Sequence, residues 1–313
     1  MKQKKGVPIR PQPVFNITQS IVELEMFKAL HNQLGIGKLY TNRKNVVFVV
    51  KSIDEIVDVI LPLFDKHPVK GGKFLAYTIF KEVSLMIKEK KHLTIEGTLQ
   101  ILNVAYFMNK DTSLRSEESL KLLQENLKIL LAEGEPTKLS SSNLVNTVGS
   151  CEATTKTKNM IEPLTLEFVR GLIDGDGSFN ISFATTRRRI VANFTVVMEI
   201  SSSPALAATI LNQLVEFFKC GTVYSLPSAA ARYQVQSIDE ILDKILPVLN
   251  NTEFNTKKQE RFEIVIKVCR LIKNRGFAND VDLKSIVDLA WDMNTSRRKK
   301  SKEEYLNKFI KTK

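Results

Sequence analysis

Apolar and polar positions along the chain follow two periods, one typical of helices and one typical of strands. Residues 73–88 and 258–273 carry an apolar stripe at helical spacing. Residues 13–20 and 191–201 have the composition of strands, and helical patterns follow both of them. The chain therefore combines helices with antiparallel strands, which predicts an α/β (α+β) fold.

The same pattern occurs twice along the chain. The stretch SIDEIVDVILP from Ser52 recurs as SIDEILDKILP from Ser237, an offset of 185 residues between positions 52 and 237. Both copies open with a capping box, because the serine hydroxyl can accept from the third helical N–H while the glutamate reaches back to the cap. Each box predicts a short helix with Pro62 or Pro247 near its end. One half of the chain therefore duplicates the other.

The repeat divides the chain into two domains. Residues 1–132 form the first half, and residues 164–313 form the second half with a basic C-terminal tail. Residues 133–163 between them are rich in Ser, Thr, Asn and Lys and poor in large apolar side chains, which is typical of a linker. A chain of 313 residues with 43% hydrophobic content has enough apolar material for two ordinary cores.

Charge and composition narrow the class of partner. The 46 Lys and Arg residues against 34 Asp and Glu give a net charge of +12 and a pI near 9.5, which favours nucleic acid before membrane. No apolar run approaches the ~20 residues that cross a bilayer, so we expect no membrane span. The cysteines and histidines show no metal-binding spacing, which argues against a structural zinc site and a disulfide framework. Because the first residues show neither a secretory signal nor a clear transit peptide, we expect a reducing compartment.

The stretch FVRGLIDGDGSFNISF, residues 168–183, holds the strongest chemical signal in the chain. Thr165 can cap a helix that runs to the acidic end of this stretch. Gly171 and Gly175 then lie on one face of that helix. Interior glycine costs about 1 kcal/mol relative to alanine, so two of them predict the close approach of another helix.

Asp174 and Asp176 fall in the last turn of this helix, where the macrodipole and the free carbonyls are already negative. Two interpretations stay open from the residues alone. The carboxylates and carbonyls can form a ligand set for a hard divalent ion, magnesium above all. Alternatively, the helix has an ordinary C-cap with Gly177 in a left-handed conformation and two solvated aspartates.

The sequence GLIDGDGSF at residues 171–179 resembles the signature of the LAGLIDADG homing endonuclease family, and the strand, hairpins and SIDEI helix that follow are similar to the rest of that domain. The resemblance extends over residues 165–275, with a second, partial match over residues 6–109. It implies two pseudo-symmetric half-domains, each with a saddle-shaped antiparallel sheet that contacts the major groove of a double-stranded DNA target site.

The first half departs from the family pattern. Ser202, which stands in the place of Gln19, lies 26 residues after Asp176, and the same distance before Gln19 falls ahead of Met1. We therefore expect the first half to lack its motif helix and its first strand. Three explanations compete: the start is internal to a longer reading frame continuous with an upstream exon, the chain is a degenerate copy, or a second chain completes the helix pair. We favour the first, which predicts that this chain alone cuts double strands poorly.

The resemblance also implies a catalytic site. Asp176 matches the aspartate that binds the divalent metal, taken as Mg²⁺, with the carbonyl of Gly175 as a further ligand. Lys73 and Lys258 occupy the place of the basic residue before the long helix of each half, where a lysine can stabilise charge on phosphate or organise water. Gln19 matches the polar residue that orders water after the second strand.

Strand alternation predicts which side chains face DNA. We expect a polar set to contact bases and three adjacent arginines to contact phosphates, which adds affinity and salt dependence. The base-facing set comprises Asn180, Ser182, Thr186, Asn193, Thr195 and Glu199, with Arg10, Gln12 and Asn16 in the first half. The phosphate-facing set comprises Arg187, Arg188 and Arg189.

Together these features predict a site-specific DNA endonuclease of a mobile intron that hydrolyses phosphodiesters with metal-activated water. An intron RNA maturase and a noncatalytic DNA-binding relic of the same fold are the alternatives. Asp176 and the two lysines favour the nuclease, whereas the missing first motif favours a noncatalytic role. The resemblance implies a gene within an organelle intron, so we expect the protein to be encoded and made in an organelle, a mitochondrion before a plastid.

Overall fold

The computed structural model describes residues 10–71, 73–106, 108, 118, 120–122, 124–125, 163–184, 189–199, 204–227, 230–250, 253–275, 280–291, 293 and 301–310. The chain divides into two compact units, Met1–Glu162 (unit 1) and Pro163–Lys313 (unit 2). The linker predicted over residues 133–163 lies outside the described residues except for Pro163.

Unit 1 builds an antiparallel sheet with helices on one face. Alternate residues of its central strand, Val46, Phe48 and Val50, are buried and pack with Phe27 of the first helix in one apolar core. The strand order β1–β3–β2 defines sheet 1. Its elements are β1 (Phe15–Ser20), α1 (Leu24–Leu34), β2 (Lys38–Thr41), β3 (Asn45–Val50), α2 (Ile53–Glu55), α3 (Leu61–Lys66), α4 (Lys73–Lys88) and α5 (Ile95–Ala105).

Unit 2 repeats this plan with one more strand and a helix before the sheet. The strand order β4–β5–β7–β6 defines sheet 2. Its elements are α6 (Leu166–Asp176), β4 (Gly177–Ala184), β5 (Arg189–Glu199), α7 (Pro204–Phe218), β6 (Thr222–Leu226), β7 (Ala230–Val235), α8 (Ile238–Glu240), α9 (Leu246–Leu249), α10 (Lys258–Arg275), α11 (Asp280–Trp291) and α12 (Lys302–Ile310).

The core of unit 2 lies between sheet 2 and its helices. The rings of Phe179 and Phe194, from neighbouring strands, stack with their centroids 4.8 Å apart, and Phe262 of α10 packs on Phe179 at 5.2 Å. Cys269 lies on the same side of α10 and is fully buried. Burial raises the pKa of the Cys269 thiol to about 12, so the thiol stays protonated at neutral pH.

The two sheets confirm the predicted α/β class and the difference between the halves. β1 of sheet 1 pairs antiparallel with β3, as β5 of sheet 2 pairs with β7. Sheet 2 has β4 as an additional strand beside β5. Among the described residues of unit 1, no strand lies beside β1 on its outer edge and no helix precedes it.

The serine contact of each predicted capping box forms, whereas in unit 1 the Glu55 carboxylate accepts from the backbone N–H of Gly37 at 3.3 Å. The hydroxyls of Ser52 and Ser237 accept from the backbone N–H three residues on, at 3.4 Å and 3.3 Å. The helices then pass through a π-helical turn, Ile56–Ile60 in unit 1 and Ile241–Ile245 in unit 2. In unit 1 the helix continues through Pro62 to Lys66 rather than ending near the proline, because the wider π-turn accommodates a ring that would clash in a regular α-helix.

The sequence repeat is preserved in an ion pair between the capping helix and the long helix of each unit. In unit 1 the Nζ of Lys88 lies 2.6 Å from a carboxylate oxygen of Asp54. In unit 2 the Nζ of Lys273 lies 2.8 Å from a carboxylate oxygen of Asp239. These hydrogen bonds to the carboxylates raise the pKa of both lysines above the usual range. The pairs are exposed, so they contribute more to the register of the helices than to stability.

Candidate functional site

Helix α6 has the boundaries that its sequence predicts. The hydroxyl of Thr165 accepts from the backbone N–H of Phe168 at 3.3 Å and caps the first turn. Val169 and Ile173 are buried in the core of unit 2. On the opposite side, a Cβ placed on Gly171 or Gly175 meets no atom of the described residues within 4 Å. The two glycines therefore give α6 an open, smooth face, and the predicted helix contact at this face stays a prediction.

Gly177 ends the helix in an extended conformation. Its φ of −74° and ψ of 153° exclude the left-handed cap that was one interpretation of this stretch. A Cβ at this position would lie 2.7 Å from the carbonyl oxygen of Ile173 in the preceding turn. Glycine is therefore required for close approach, and it lets α6 run into β4 without an intervening loop.

Asp174 has a structural partner set. Its carboxylate accepts from the backbone N–H of Asn255 at 3.0 Å and of Thr256 at 3.2 Å. The hydroxyl of Thr256 donates to the same carboxylate at 2.6 Å. Asp174 thus joins the end of α6 to the segment before α10, and it is half-buried rather than solvated.

Lys258 neutralises the end of the same helix. Its ammonium donates to the carbonyl oxygens of Ile173 at 2.8 Å, Asp174 at 2.6 Å and Gly175 at 2.9 Å. A cation at a helix C-terminus is favourable, because the unpaired carbonyls make that end negative. The lysine that the sequence predicts for the active site therefore lies at the acidic end of α6.

Asp176 is the last residue of α6 and is exposed. Its carboxylate is an oxygen donor of the type that Mg²⁺ prefers, whereas the carbonyl oxygen of Gly175, the further ligand expected from the sequence, accepts from the Lys258 ammonium at 2.9 Å. The described residues contain no cluster of three or more His, Cys, Asp or Glu side chains able to hold a metal ion. The single exposed carboxylate suits a hard divalent cation that takes few protein ligands and completes its shell with water and phosphate oxygens.

The two predicted site residues of unit 1 occupy the ends of its elements. Lys73 is the first residue of α4 and is exposed. Gln19 lies near the end of β1 and is half-buried, in register with buried Val46 of β3. It therefore lies on the core side of sheet 1, on the face opposite Asn16 and Thr18.

The polar face of sheet 2 forms as the alternation predicts. Phe179 and Ile181 of β4 face the core, and Asn180 and Ser182 lie on the other face. Asn193 and Thr195 of β5 share that face because they pair in register with Asn180 and Ser178. Asn193 and Thr195 are both buried, with 6% and 9% of their surface exposed.

Three further polar residues line this face and were not predicted. Arg232 and Gln234 of β7, with Gln236 just after it, border the same groove as Asn180 and Asn193. The signal was present in RYQVQ at residues 232–236, where polar side chains alternate with buried Tyr233 and Val235. Strict alternation next to a hairpin is the pattern of a strand with one polar face.

The other predicted DNA-facing residues fall into three groups. Arg10 and Gln12 are exposed in the segment before β1, and Asn16 is exposed on β1. Arg189 and Glu199 are the end residues of β5, and their side chains are outside the description. Thr186, Arg187 and Arg188 lie outside the described residues.

The described residues contain no helix that is both long and apolar enough to cross a membrane.

The chain is similar to known endonucleases in sequence and in fold. A family model described as LAGLIDADG endonuclease matches residues 1–84 and 169–269. A probable intron-encoded DNA endonuclease 1 of Mycosarcoma maydis is 36% identical over 261 residues, which cover 83% of this chain and 88% of the relative.

Two solved structures share the fold. The I-SmaMI LAGLIDADG homing endonuclease bound to cleaved DNA aligns with a TM-score of 0.69 at 20% identity, covering 91% of this chain and 87% of that chain. The I-SmaMI complex with uncleaved DNA in the presence of calcium ions aligns with a TM-score of 0.68 at 20% identity, covering 90% and 87%.

Proposed function

Because this chain belongs to the LAGLIDADG endonuclease family, we propose that it is a site-specific endonuclease that cuts double-stranded DNA for a mobile intron. The observation that carries the proposal is the end of α6. Of the two acids there, Asp174 holds the segment before α10, whereas Asp176 is exposed beside the carbonyls that Lys258 caps. The exposed carboxylate is the one that a metal ion from solvent can reach.

Mg²⁺ is the cation that we propose for this site. Its support is the exposed carboxylate of Asp176, together with a structural neighbour described with calcium ions. When bound, a divalent cation supplies charge neutralisation at the phosphate and activates water for attack. In the reaction water adds to phosphorus and one P–O ester bond breaks.

Lys258 has two roles in this proposal. It fixes the end of α6 through the carbonyls of residues 173–175, and it places a positive charge next to Asp176. That charge favours an approaching phosphate and the developing negative charge of the reaction. Lys73 has the corresponding place before the long helix of unit 1, and Gln19 is proposed to order water there.

The polar faces of the two sheets are proposed to bind the DNA target. A net charge of +12 favours a polyanion over any neutral ligand, and the groove of sheet 2 is lined by amides, hydroxyls and Arg232. Antiparallel strands can enter the major groove and read base edges there. The related protein of Mycosarcoma maydis is named an intron-encoded DNA endonuclease, which supports DNA over intron RNA as the ligand.

We also propose a mitochondrial gene within an intron as the origin of the chain. Its support is the name of the fungal relative, which describes an intron-encoded enzyme.

Cleavage of a plasmid that carries the intronless allele tests the proposal. In magnesium the wild-type chain is expected to cut the plasmid, and Asp176→Asn is expected to reduce the rate by about 100-fold or more. Glu167→Gln is the matched control, because it removes an exposed acid from the opposite end of α6 and should cut like wild type.

The products also separate the alternatives. Equal cutting by wild type and Asp176→Asn would refute the assigned metal site. Binding of the plasmid without magnesium-dependent cutting would identify a DNA-binding relic. Specific binding of intron RNA in place of DNA would identify a maturase. Nicked and linear products, counted separately, show whether this chain cuts one strand or two.

A further inference from the structure

We infer that Asn193 is a positioning residue that fixes which hydrogen-bonding groups sheet 2 presents to the edges of DNA bases. The inference deepens the proposed function and rests on it. Asn193 lies in the middle of β5, and its side chain contacts β4 on one side and β7 on the other. With 6% of its surface exposed, it has little access to water or to a ligand.

A backbone carbonyl determines the orientation of the Asn193 amide. Its Nδ2 lies 3.2 Å from the carbonyl oxygen of Val191, a group that only accepts hydrogen bonds. The nitrogen must therefore point toward this carbonyl and the oxygen away from it. A rotated amide would place two acceptors against each other in a buried position, which is unfavourable.

This orientation determines what Asn180 presents. The two protons of this Nδ2 are shared among three acceptors, namely the Val191 carbonyl, Oδ1 of Asn180 at 3.1 Å and the hydroxyl of Ser182 at 3.2 Å. Because the oxygen of Asn180 accepts from Asn193, its amide nitrogen is the group left for the groove. Asn180 is therefore a donor, suited to base acceptors such as guanine N7 and O6 or thymine O4.

The carboxamide oxygen of Asn193 orients the glutamine side chains of β7 in the opposite sense. Its Oδ1 accepts from Nε2 of Gln236 at 2.6 Å and from Nε2 of Gln234 at 3.2 Å. Each glutamine therefore keeps its carbonyl oxygen and one N–H for the groove. That pair of groups matches adenine, which offers a donor at N6 and an acceptor at N7 in the major groove.

Asn193 thus divides sheet 2 into a donor side on β4 and an acceptor-bearing side on β7. Without this residue each surface amide would rotate freely and accept either kind of base edge. A fixed orientation before binding also lowers the ordering cost of recognition. Asn193 does not read a base itself. It sets the polarity of the residues that do.

Two single substitutions in the full-length chain test this assignment. Asn193→Asp keeps the shape but removes the donor, so the amide of Asn180 should rotate and present its oxygen. Asn180→Asp leaves Asn193 in place and presents a carboxylate oxygen directly. Both variants are expected to change preference at the same base pair, toward cytosine or adenine, by about tenfold or more.

Cleavage or binding of all single-base-pair variants of the target measures the preferences. Ser178→Asp is the matched control, because it adds the same charge to the same groove at the neighbouring Ser178–Thr195 pair and should weaken targets without changing preference at that base pair. If Asn193→Asp behaves like this control, or if the two variants change different base pairs, the assignment is wrong.

A measurement without DNA separates this inference from the proposed function. With ¹⁵N-labelled asparagine, the side-chain amide protons of Asn193 are expected to exchange with solvent at least tenfold more slowly than those of exposed asparagines such as Asn42. Rapid exchange would overturn the inference whatever the DNA results. Slow exchange in a chain that shows no base preference would instead overturn the proposed function.

Discussion

Asp174 and Asp176 are separated by one residue and have different surroundings. The sequence placed both in the last turn of α6, and only the resemblance to the family motif distinguished Asp176 as the metal ligand. In the structure Asp174 accepts three hydrogen bonds from residues 255 and 256, and Asp176 is exposed. The distinction depends on a segment some 80 positions away along the chain, so no local pattern contains it.

This difference predicts unequal effects on stability. Asp174→Ala removes the acceptor of two backbone N–H groups and should lower the free energy of unfolding of unit 2 by about 1–3 kcal/mol. Asp176→Ala should change it by about 0.5 kcal/mol or less, because the site is exposed and an acid at a helix C-terminus is unfavourable.

Fluorescence of Trp291 during denaturant unfolding provides the measurement. It is the only tryptophan of the chain and lies in α11 of unit 2. Equal losses of stability in the two variants would show that Asp174 does not hold the segment before α10.

The residues of the polar face show which structural features the local sequence can predict. Alternation assigned Asn180, Ser182 and Asn193 to the correct face, because side-chain direction in a strand follows from position alone. It did not show that Asn193 is buried between two strands, since burial depends on the length of the neighbouring side chains. Gln234 and Gln236 have the same alternation, but they were not among the residues predicted to face DNA.

At the scale of elements, the serine caps at Ser52 and Ser237 were predictable from the sequence. They depend on contacts between residues three apart, which the sequence contains in full. The π-turns that follow were not predicted, because a π-turn differs from an α-helix by one bulged residue and leaves the apolar spacing almost unchanged.

The central strands of the two sheets differ in chemistry at equivalent positions. Val47 and Val49 of β3 stand where β7 has Arg232 and Gln234, and all four lie on the face away from the core. Beside them, Tyr40 of sheet 1 and Tyr224 of sheet 2 are 51% and 50% exposed. At these two positions sheet 1 therefore presents apolar side chains, beside exposed Asn16 and Thr18 of β1, where sheet 2 presents hydrogen-bonding groups.

Apolar side chains recognise the methyl group of thymine. We expect the half-site bound by sheet 1 to depend on thymine methyls, so replacing its dT by dU should weaken binding. The same replacement in the half-site bound by sheet 2 should have a smaller effect. Competition binding with the two substituted duplexes measures the difference, and Val49→Thr should reduce the sensitivity to dU. An equal loss for both half-sites would contradict the prediction.

At the scale of the whole molecule, the excess of positive charge makes salt dependence the expected signature of binding. Each phosphate contact contributes about −0.9 to the slope of log K against log salt concentration. Arg187 and Arg188 were predicted to contact phosphates. The double variant Arg187→Gln/Arg188→Gln should reduce the slope by about 2 and weaken all DNA sequences equally.

Lys273→Gln is the control for this measurement, because its ammonium is paired with Asp239 and its loss should leave the slope unchanged. Fluorescence anisotropy over a series of salt concentrations gives the slopes. A double variant with an unchanged slope, or with a loss confined to one sequence, would show that the two arginines do not bind phosphate.

The duplicated architecture was predictable because the repeat preserves local signals in order: strand, helix, hairpin, capping box and long helix. The end of α6 was predictable in part. Its boundaries and acids follow from composition, whereas the capping of residues 173–175 by Lys258 joins two elements that the sequence does not place together.

The direct passage from α6 into β4 at Gly177 has a consequence for redesign. Asp176 and Ser178 flank a single glycine, with no loop to act as a hinge between the carboxylate and the strand. In a variant retargeted to another DNA sequence, a shift of β4 by a fraction of an ångström would also move the carboxylate of Asp176. A mismatched target should consequently lower the cleavage rate more than the binding affinity. Screens for variants with altered targets should therefore select for cleavage and not for binding.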